Sequence, residues 1–210
     1  MARDRFATRA AILESAAELV AAKGVGALRV NGLADAAKCD KVLIYRYFGG
    51  LDGVLQALGA ERMLWPVVET ANESDDGQND SLADAVRVRL LEEWAALAGG
   101  AFMLGASAAE VVGANPLGAA AAAQRADRHA TMIASLRENH CVPPYADLPA
   151  LVEMLSAALT LFALRAAHAE ESVAGESLPH AHSFDPNTPG GWRRIEKMVT
   201  AVTRALLEAE

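Results

Sequence analysis

Apolar residues recur along most of this chain at intervals of three and four, the spacing that gathers them on one face of an α-helix. Phe6, Ile12, Leu13, Ala16, Leu19 and Val20 predict a first helix over Arg3–Lys23, with Gly24 available for the left-handed conformation that closes a helix. Leu33, Ala34 and Ala37 then share one face of a short segment, and Ile44 and Phe48, four apart, share one face of another. Lys38 and Cys39 break the pattern between them, and Asp40 is placed to accept a backbone N–H at the start of the second segment. Two short helices joined so tightly predict a helix-turn-helix. Gly49 and Gly50 end it, and Asp52 opens the next helix.

Further on, Val54, Leu55, Leu58, Met63, Leu64, Val67 and Val68 predict a long helix from Leu51 to about Asn72, which Pro66 should kink or end near Trp65. The acidic, polar run Glu73–Asp80 reads as a loop and marks the clearest boundary in the chain. Helices are predicted next over Leu82–Leu97, with Val86, Leu90, Leu91 and Trp94 facing inward, over Ala101–Val112, stopped by Asn115 and Pro116, and over Ala119–Asn139. Pro143, Pro144 and Pro149 punctuate the approach to Leu151–His168, and Glu170–Gly191, with its Gly, Pro, Ser and His, reads as a long loop. The last helix, Trp192–Glu208, carries Trp192, Ile195, Met198, Val199, Val202 and Leu206 on one stripe that the body or a second copy of the chain must cover.

Hydrophobic residues make up 52% of the 210 and aromatics 5%, so the interior is filled mainly by Ala, Leu and Val, which favours close helix packing. The expected fold class is all-α, an N-terminal helix-turn-helix domain over residues 1–50 followed by a larger helical domain over 51–210. No apolar run reaches membrane-spanning length without charge or Gly, and the first residues lack the apolar core of a signal peptide, so a cytoplasmic protein without membrane contact is expected. Cys39 and Cys141 stand far apart, with no spacing for zinc or a redox pair, and are read as reduced thiols. The net charge of −8 is unevenly spread: residues 1–50 hold eight Lys and Arg against five acids, a net of +3, which leaves −11 for the remainder. Such asymmetry turns one end of the molecule toward phosphate and the other away.

Chemistry concentrates in the second helix of the helix-turn-helix. Turned away from Ile44 and Phe48 are Lys41, Val42, Leu43, Tyr45 and Arg46, a mixture of cation, phenol and apolar surface suited to DNA. Lys41 or Arg46 can bond to guanine, and Val42 or Leu43 can touch a thymine methyl, while packing within the head is the other reading of those two apolar residues. Tyr45 and Tyr47 suit phosphates, as do Arg3, Arg5 and Arg9 on the first helix. Arg29 and Asn31, where the first short helix starts, complete the candidate DNA-binding set.

The pattern Leu33-Ala34, a turn, and Ile44-Tyr45-Arg46-Tyr47-Phe48, after a helix ending in Lys23-Gly24, resembles the DNA-binding segment of the TetR family of bacterial transcriptional regulators. The resemblance covers roughly the first 55 residues. It departs at Arg29, where a Thr cap is usual, at Lys38, where Gly is usual, at Val42 and Leu43, where small or polar residues are common, and at Leu51, where a phosphate-contacting Lys often stands. It implies a ligand-responsive regulator, a repressor, whose partners are a double-stranded DNA operator, a small-molecule effector and a second copy of itself. It also implies that the last two long helices form a four-helix dimer interface, with Leu155, Leu159, Trp192, Ile195, Val199 and Val202 as dimerisation residues. A two-fold dimer fits DNA, since its heads must meet half-sites about 34 to 36 Å apart.

Met63, Trp65, Trp94, Phe102, Met103, Met132, Met154 and Phe162 form a soft apolar set, either plain core or the lining of a pocket for an apolar or aromatic molecule. Trp94, Phe102, Met103, His129 and Phe162 are the candidate ligand-binding residues, with Asn115, Ser156 and Thr160 as further polar anchors. His180 and His182 alternate on the polar loop without the pairing that a zinc site needs, so no metal and no cofactor is expected. No G-x-S-x-G, phosphate loop or paired-carboxylate motif is present, and no enzymatic activity is expected. The alternative is a module of the same fold that binds small molecules or proteins and has lost sequence-specific DNA binding.

Overall fold

The computed structural model describes residues 2–62, 64–65, 81–113, 115–172 and 189–208, and among these every regular element is helical. Met63, the second half of the predicted fourth helix, the acidic loop 73–80, and His180 and His182 lie outside the described residues. The chain divides into two compact units, one of Met1–Pro66 with Gly100–Ala126, the other of Val67–Gly99 with Asp127–Glu210.

In the first unit, α1 (Ala2–Lys23) is followed by a 3-10 turn at Val25–Ala27, α2 (Val30–Ala36), α3 (Lys41–Phe48) and α4 (Leu51–Glu61). Ile12, Ala16 and Val20 of α1 are wholly buried, as their four-residue spacing predicts, and Leu33 of α2, Ile44 of α3 and Leu58 of α4 join them in the core. Lys38 makes the turn between α2 and α3 by adopting φ +51, a conformation costly for any side chain with a Cβ. Asp40 caps α3, its carboxylate accepting a hydrogen bond from the Val42 N–H at 2.9 Å. Gly49, at φ 77, closes α3 in the left-handed region, and its N–H bonds to the Tyr45 carbonyl.

α4 stops at Glu61, before Trp65. Arg62 turns extended, and the side chain of Gln124 takes over the bonding of the helix end: its amide N–H groups donate to the carbonyls of Gly59 and Arg62, and its oxygen accepts from the Leu64 N–H. Three backbone groups that would lack helical partners are thereby satisfied by one residue 60 positions on. Trp65 is buried beside them, donating its indole N–H to the Ala121 carbonyl at 3.0 Å. A Cβ on Gly59 would meet that of Ala120 at 2.3 Å, so the two backbones approach this closely only because residue 59 has none.

Ala121 and Gln124 belong to α7 (Pro116–Asn139), which follows α5 (Leu82–Gly99) and α6 (Ala101–Val112). α6 packs on α1. α7 begins three residues earlier than the apolar pattern predicts, because Asn115 caps it by accepting from the Gly118 N–H and Pro116 sits in its first turn, where no N–H is needed. The uninterrupted helix passes from the first unit to the second after Ala126.

The second unit packs α5, the later part of α7, α8 (Leu148–Ser172) and α9 (Pro189–Leu207) around Val86, Leu90, Met132, Val152, Leu159 and Ile195. α8 also starts early, with Asp147 accepting from the Ala150 N–H and Pro149 in the first turn, and it runs past Glu170 into the stretch predicted as loop. The span Leu148–Ala167 is long and apolar enough to cross a membrane by length and composition. It nevertheless carries Glu153 and Arg165, and its Leu148, Leu151, Val152 and Leu159 are buried in the core of the unit.

Candidate nucleic-acid interface

The exposed face of α3 is built by the capped turn before it and the glycine cap after it. Ile44 has no exposed surface, which fixes the rotation of the helix; Lys41, Val42, Tyr45 and Arg46 then share the outward side, with Val42 60% and Tyr45 55% exposed. An exposed valine and tyrosine between two cations match the mixed chemistry of base edges and phosphates in the major groove. Leu43 and Tyr47 are half-buried, so of the two apolar candidates Val42 is the one presented outward. Arg29 and Asn31 are exposed at the start of α2, but Arg29 gives its guanidinium to its own loop, donating to the carbonyls of Gly26 and Leu28 at 2.8 Å.

The arginines of α1 brace this face. Arg5 lies 5.7 Å over the Tyr47 ring, and Arg9 lies 5.1 Å over the Phe48 ring while its guanidinium pairs with Glu61. Sequence reasoning offered Arg9 to phosphate; the structure employs it in joining α1, α3 and α4. The side chain of Arg3 lies outside the described residues. Burial, with the neighbouring Asp40 charge, pushes the Cys39 thiol up, away from reactive thiolate.

Solved structures share this fold across nearly the whole chain. A TetR transcriptional regulator from Agrobacterium tumefaciens aligns with a TM-score of 0.64 at 19% identity, covering 95% of this chain and 94% of that one. The transcriptional regulator FadR from Bacillus subtilis, in complex with stearoyl-CoA, aligns at 0.58 and 14%, covering 94% and 96%. A TetR regulator from Rhodococcus sp. RHA1 aligns at 0.54 and 16%, covering 97% of each chain. No curated protein sequence matches. Residues 12–58, from the middle of α1 to the last turn of α4, match the family model of bacterial regulatory proteins, tetR family. Residues 12–58 therefore carry the segment that marks the tetR family.

The helix-turn-helix lies within the segment that matches this family model. Its Lys at the left-handed turn and its Arg at the N-cap of α2, which makes no side-chain cap bond, are accommodated without loss of the fold. The candidate ligand residues divide between the units. Phe102 and Met103 belong to the first, where Arg62 lies 5.2 Å over the Phe102 ring; Trp94, His129 and Phe162 belong to the second. Trp94 stacks on Trp192 with ring centroids 4.0 Å apart. Trp65 and Met132 are core, Asn115 is a helix cap, and Met154 is 59% exposed.

Of the candidate dimerisation residues, Leu159, Ile195 and Val199 are buried, and Leu155, Trp192 and Val202 pack against the same core. The body therefore covers most of the α9 stripe, while Met198 and Leu206 of that stripe remain exposed.

His129 and Ser156, offered by the sequence as ligand anchors, belong in the structure to a buried polar cluster of the second unit around Glu93, which was not read from the sequence. Glu93 of α5, 2% exposed, accepts from the Ser156 hydroxyl of α8 and faces His129 Nε2 of α7 at 3.1 Å; Arg128 Nε lies 3.8 Å from the same oxygen. Burial works against the Glu93 charge, yet the bonds from His129 and Ser156 and the nearby cations outweigh it and hold the carboxyl below its ordinary range. The signal was there: Val86, Leu90, Glu93 and Leu97 follow helical spacing, which puts the carboxylate on the inward face.

Proposed function

We propose that the protein is a cytoplasmic, homodimeric transcriptional repressor of the TetR family. Residues 1–50 bind a near-palindromic operator, and residues 51–210 supply dimerisation and an effector site. The supporting observation is the outward face of α3, where Lys41, Val42, Tyr45 and Arg46 stand together over the buried Ile44. The effector is an apolar or aromatic small molecule, a reading supported by the Trp94–Trp192 stack and Phe162 against an apolar core. Such a molecule can release DNA only by binding more tightly to the conformation that does not hold the operator. The FadR relative's complex with stearoyl-CoA adds support for an apolar ligand.

Selection of genomic fragments by the purified full-length protein tests the reading. A recovered near-palindrome bound with a steep salt dependence is expected, since each phosphate contact releases counterions. One observation favours the alternative, a module that binds small molecules or proteins without reading DNA: the Arg29 guanidinium is engaged by its own loop. Recovery of no fragment at low salt would establish that alternative instead.

A further inference from the structure

The imidazole of His129 lies between two acceptors. Its Nδ1 is 2.7 Å from Glu153 Oε2 of α8, and its Nε2 is 3.1 Å from Glu93 Oε2 of α5. A neutral imidazole has one N–H and one lone pair, so it could donate to one carboxylate only and would turn a lone pair on the other. The arrangement is that of an imidazolium. Burial opposes the charge, but the two carboxylates outweigh burial and raise the affinity of His129 for its proton. Because the ring sits between its partners, their lone pairs do not converge on a point, and no group of three such side chains among the described residues could hold a metal. Arg128 on α7 itself is also nearby, and it feels Glu93, Glu92 and Arg89 of α5.

Five residues earlier on the same uninterrupted helix, Gln124 holds three backbone groups at the end of α4, and α4 packs on the recognition helix α3. We propose that the proton on His129 is a regulatory ligand of this protein, and that α7 transmits its presence through Gln124 to α4 and the head. With the proton bound, His129 ties α7 to both α5 and α8. Its loss makes one of the two contacts repulsive, α7 shifts, and the Gln124 clamp shifts with it. Operator affinity then falls as pH rises. The inference rests on the DNA-binding reading above and adds an input to it.

The test measures affinity of the full-length protein, at fixed salt, for a duplex selected from genomic fragments, at about pH 6.5 and about pH 8.5. The wild type is expected to lose about five-fold or more in affinity across that range. His129→Gln should abolish the difference. Gln124→Ala should abolish it too while the His129 imidazole still titrates by NMR, a combination that a merely structural role for either residue would not produce. Gln124→Ala leaves the titrating group intact and supplies the comparison alone if His129→Gln does not fold. Equal wild-type affinity at both pH values, or a pH dependence unchanged in the variants, overturns the proton link and leaves the regulator reading standing. Retention of no fragment at either pH overturns the regulator reading. The link is then decided by hydrogen exchange at the Leu64 amide, whose protection, corrected for intrinsic exchange, must drop with pH in the wild type; constant protection overturns it.

Discussion

Single residues of the head show how much a local rule decides. Asp40 was legible from the sequence because an N-cap needs only an acceptor at one place, and the bond to the Val42 N–H is present. Asp40→Ala is expected to cost about 1 kcal/mol, read by chemical denaturation. Lys38 was legible as a turn residue but not as one at φ +51, since the pattern marks where a helix stops and not how the backbone leaves it. Relief of the left-handed strain in Lys38→Gly exceeds the added freedom of the unfolded chain, so this variant should be more stable by up to about 1 kcal/mol in the same measurement. Arg46, exposed beside Tyr45, is expected to read a base: Arg46→Ala should relax preference at one operator position by about 1–3 kcal/mol in a binding selection, whereas uniform weakening across sequences would make it a phosphate contact.

At the scale of elements, helical spacing found the α-helices of the described residues and misjudged several ends. Pro116 and Pro149 were read as breaks, yet each lies in the first turn of a helix capped by the residue before it or two before it, Asn115 and Asp147. Proline ends a helix it follows and suits one it begins, and the two uses look alike until the cap is seen. The end of α4 was illegible for a different reason: the side chain that terminates it, Gln124, is remote in sequence. Gln124→Ala leaves two carbonyls and one N–H without that partner and is expected to cost about 1–3 kcal/mol, with Leu64 losing amide protection while the amides of α1 keep theirs. The outward face of α3, by contrast, was legible at Lys41, Val42, Tyr45 and Arg46, because a buried Ile44 fixes the rotation of the helix, whereas Leu43, read as outward, is half-buried.

For the whole molecule, the cluster around Glu93 predicts a stability profile with two flanks. Glu93 is held below its ordinary 4.5, so its contribution is present above that value and is lost as pH falls through the lowered one. His129 is held above its ordinary 6.5, so its contribution is complete below 6.5 and is lost as pH rises through the raised value. Unfolding free energy should therefore peak between those two ordinary values, and His129→Gln should flatten the alkaline flank, as denaturant titrations across pH would show. Glu153, with its side chain 58% exposed, adds less than Glu93 because water screens it. None of this was legible from composition, which gave the negative total without saying which acid is dry.

Neither compact unit is a continuous piece of polypeptide: the backbone enters the second unit after Pro66, returns at Gly100 and leaves again after Ala126. A truncation that keeps only the N-terminal helices would strip Ala121 and Gln124 from Trp65 and Leu64, so grafting this reading head onto another scaffold requires two separate inserts.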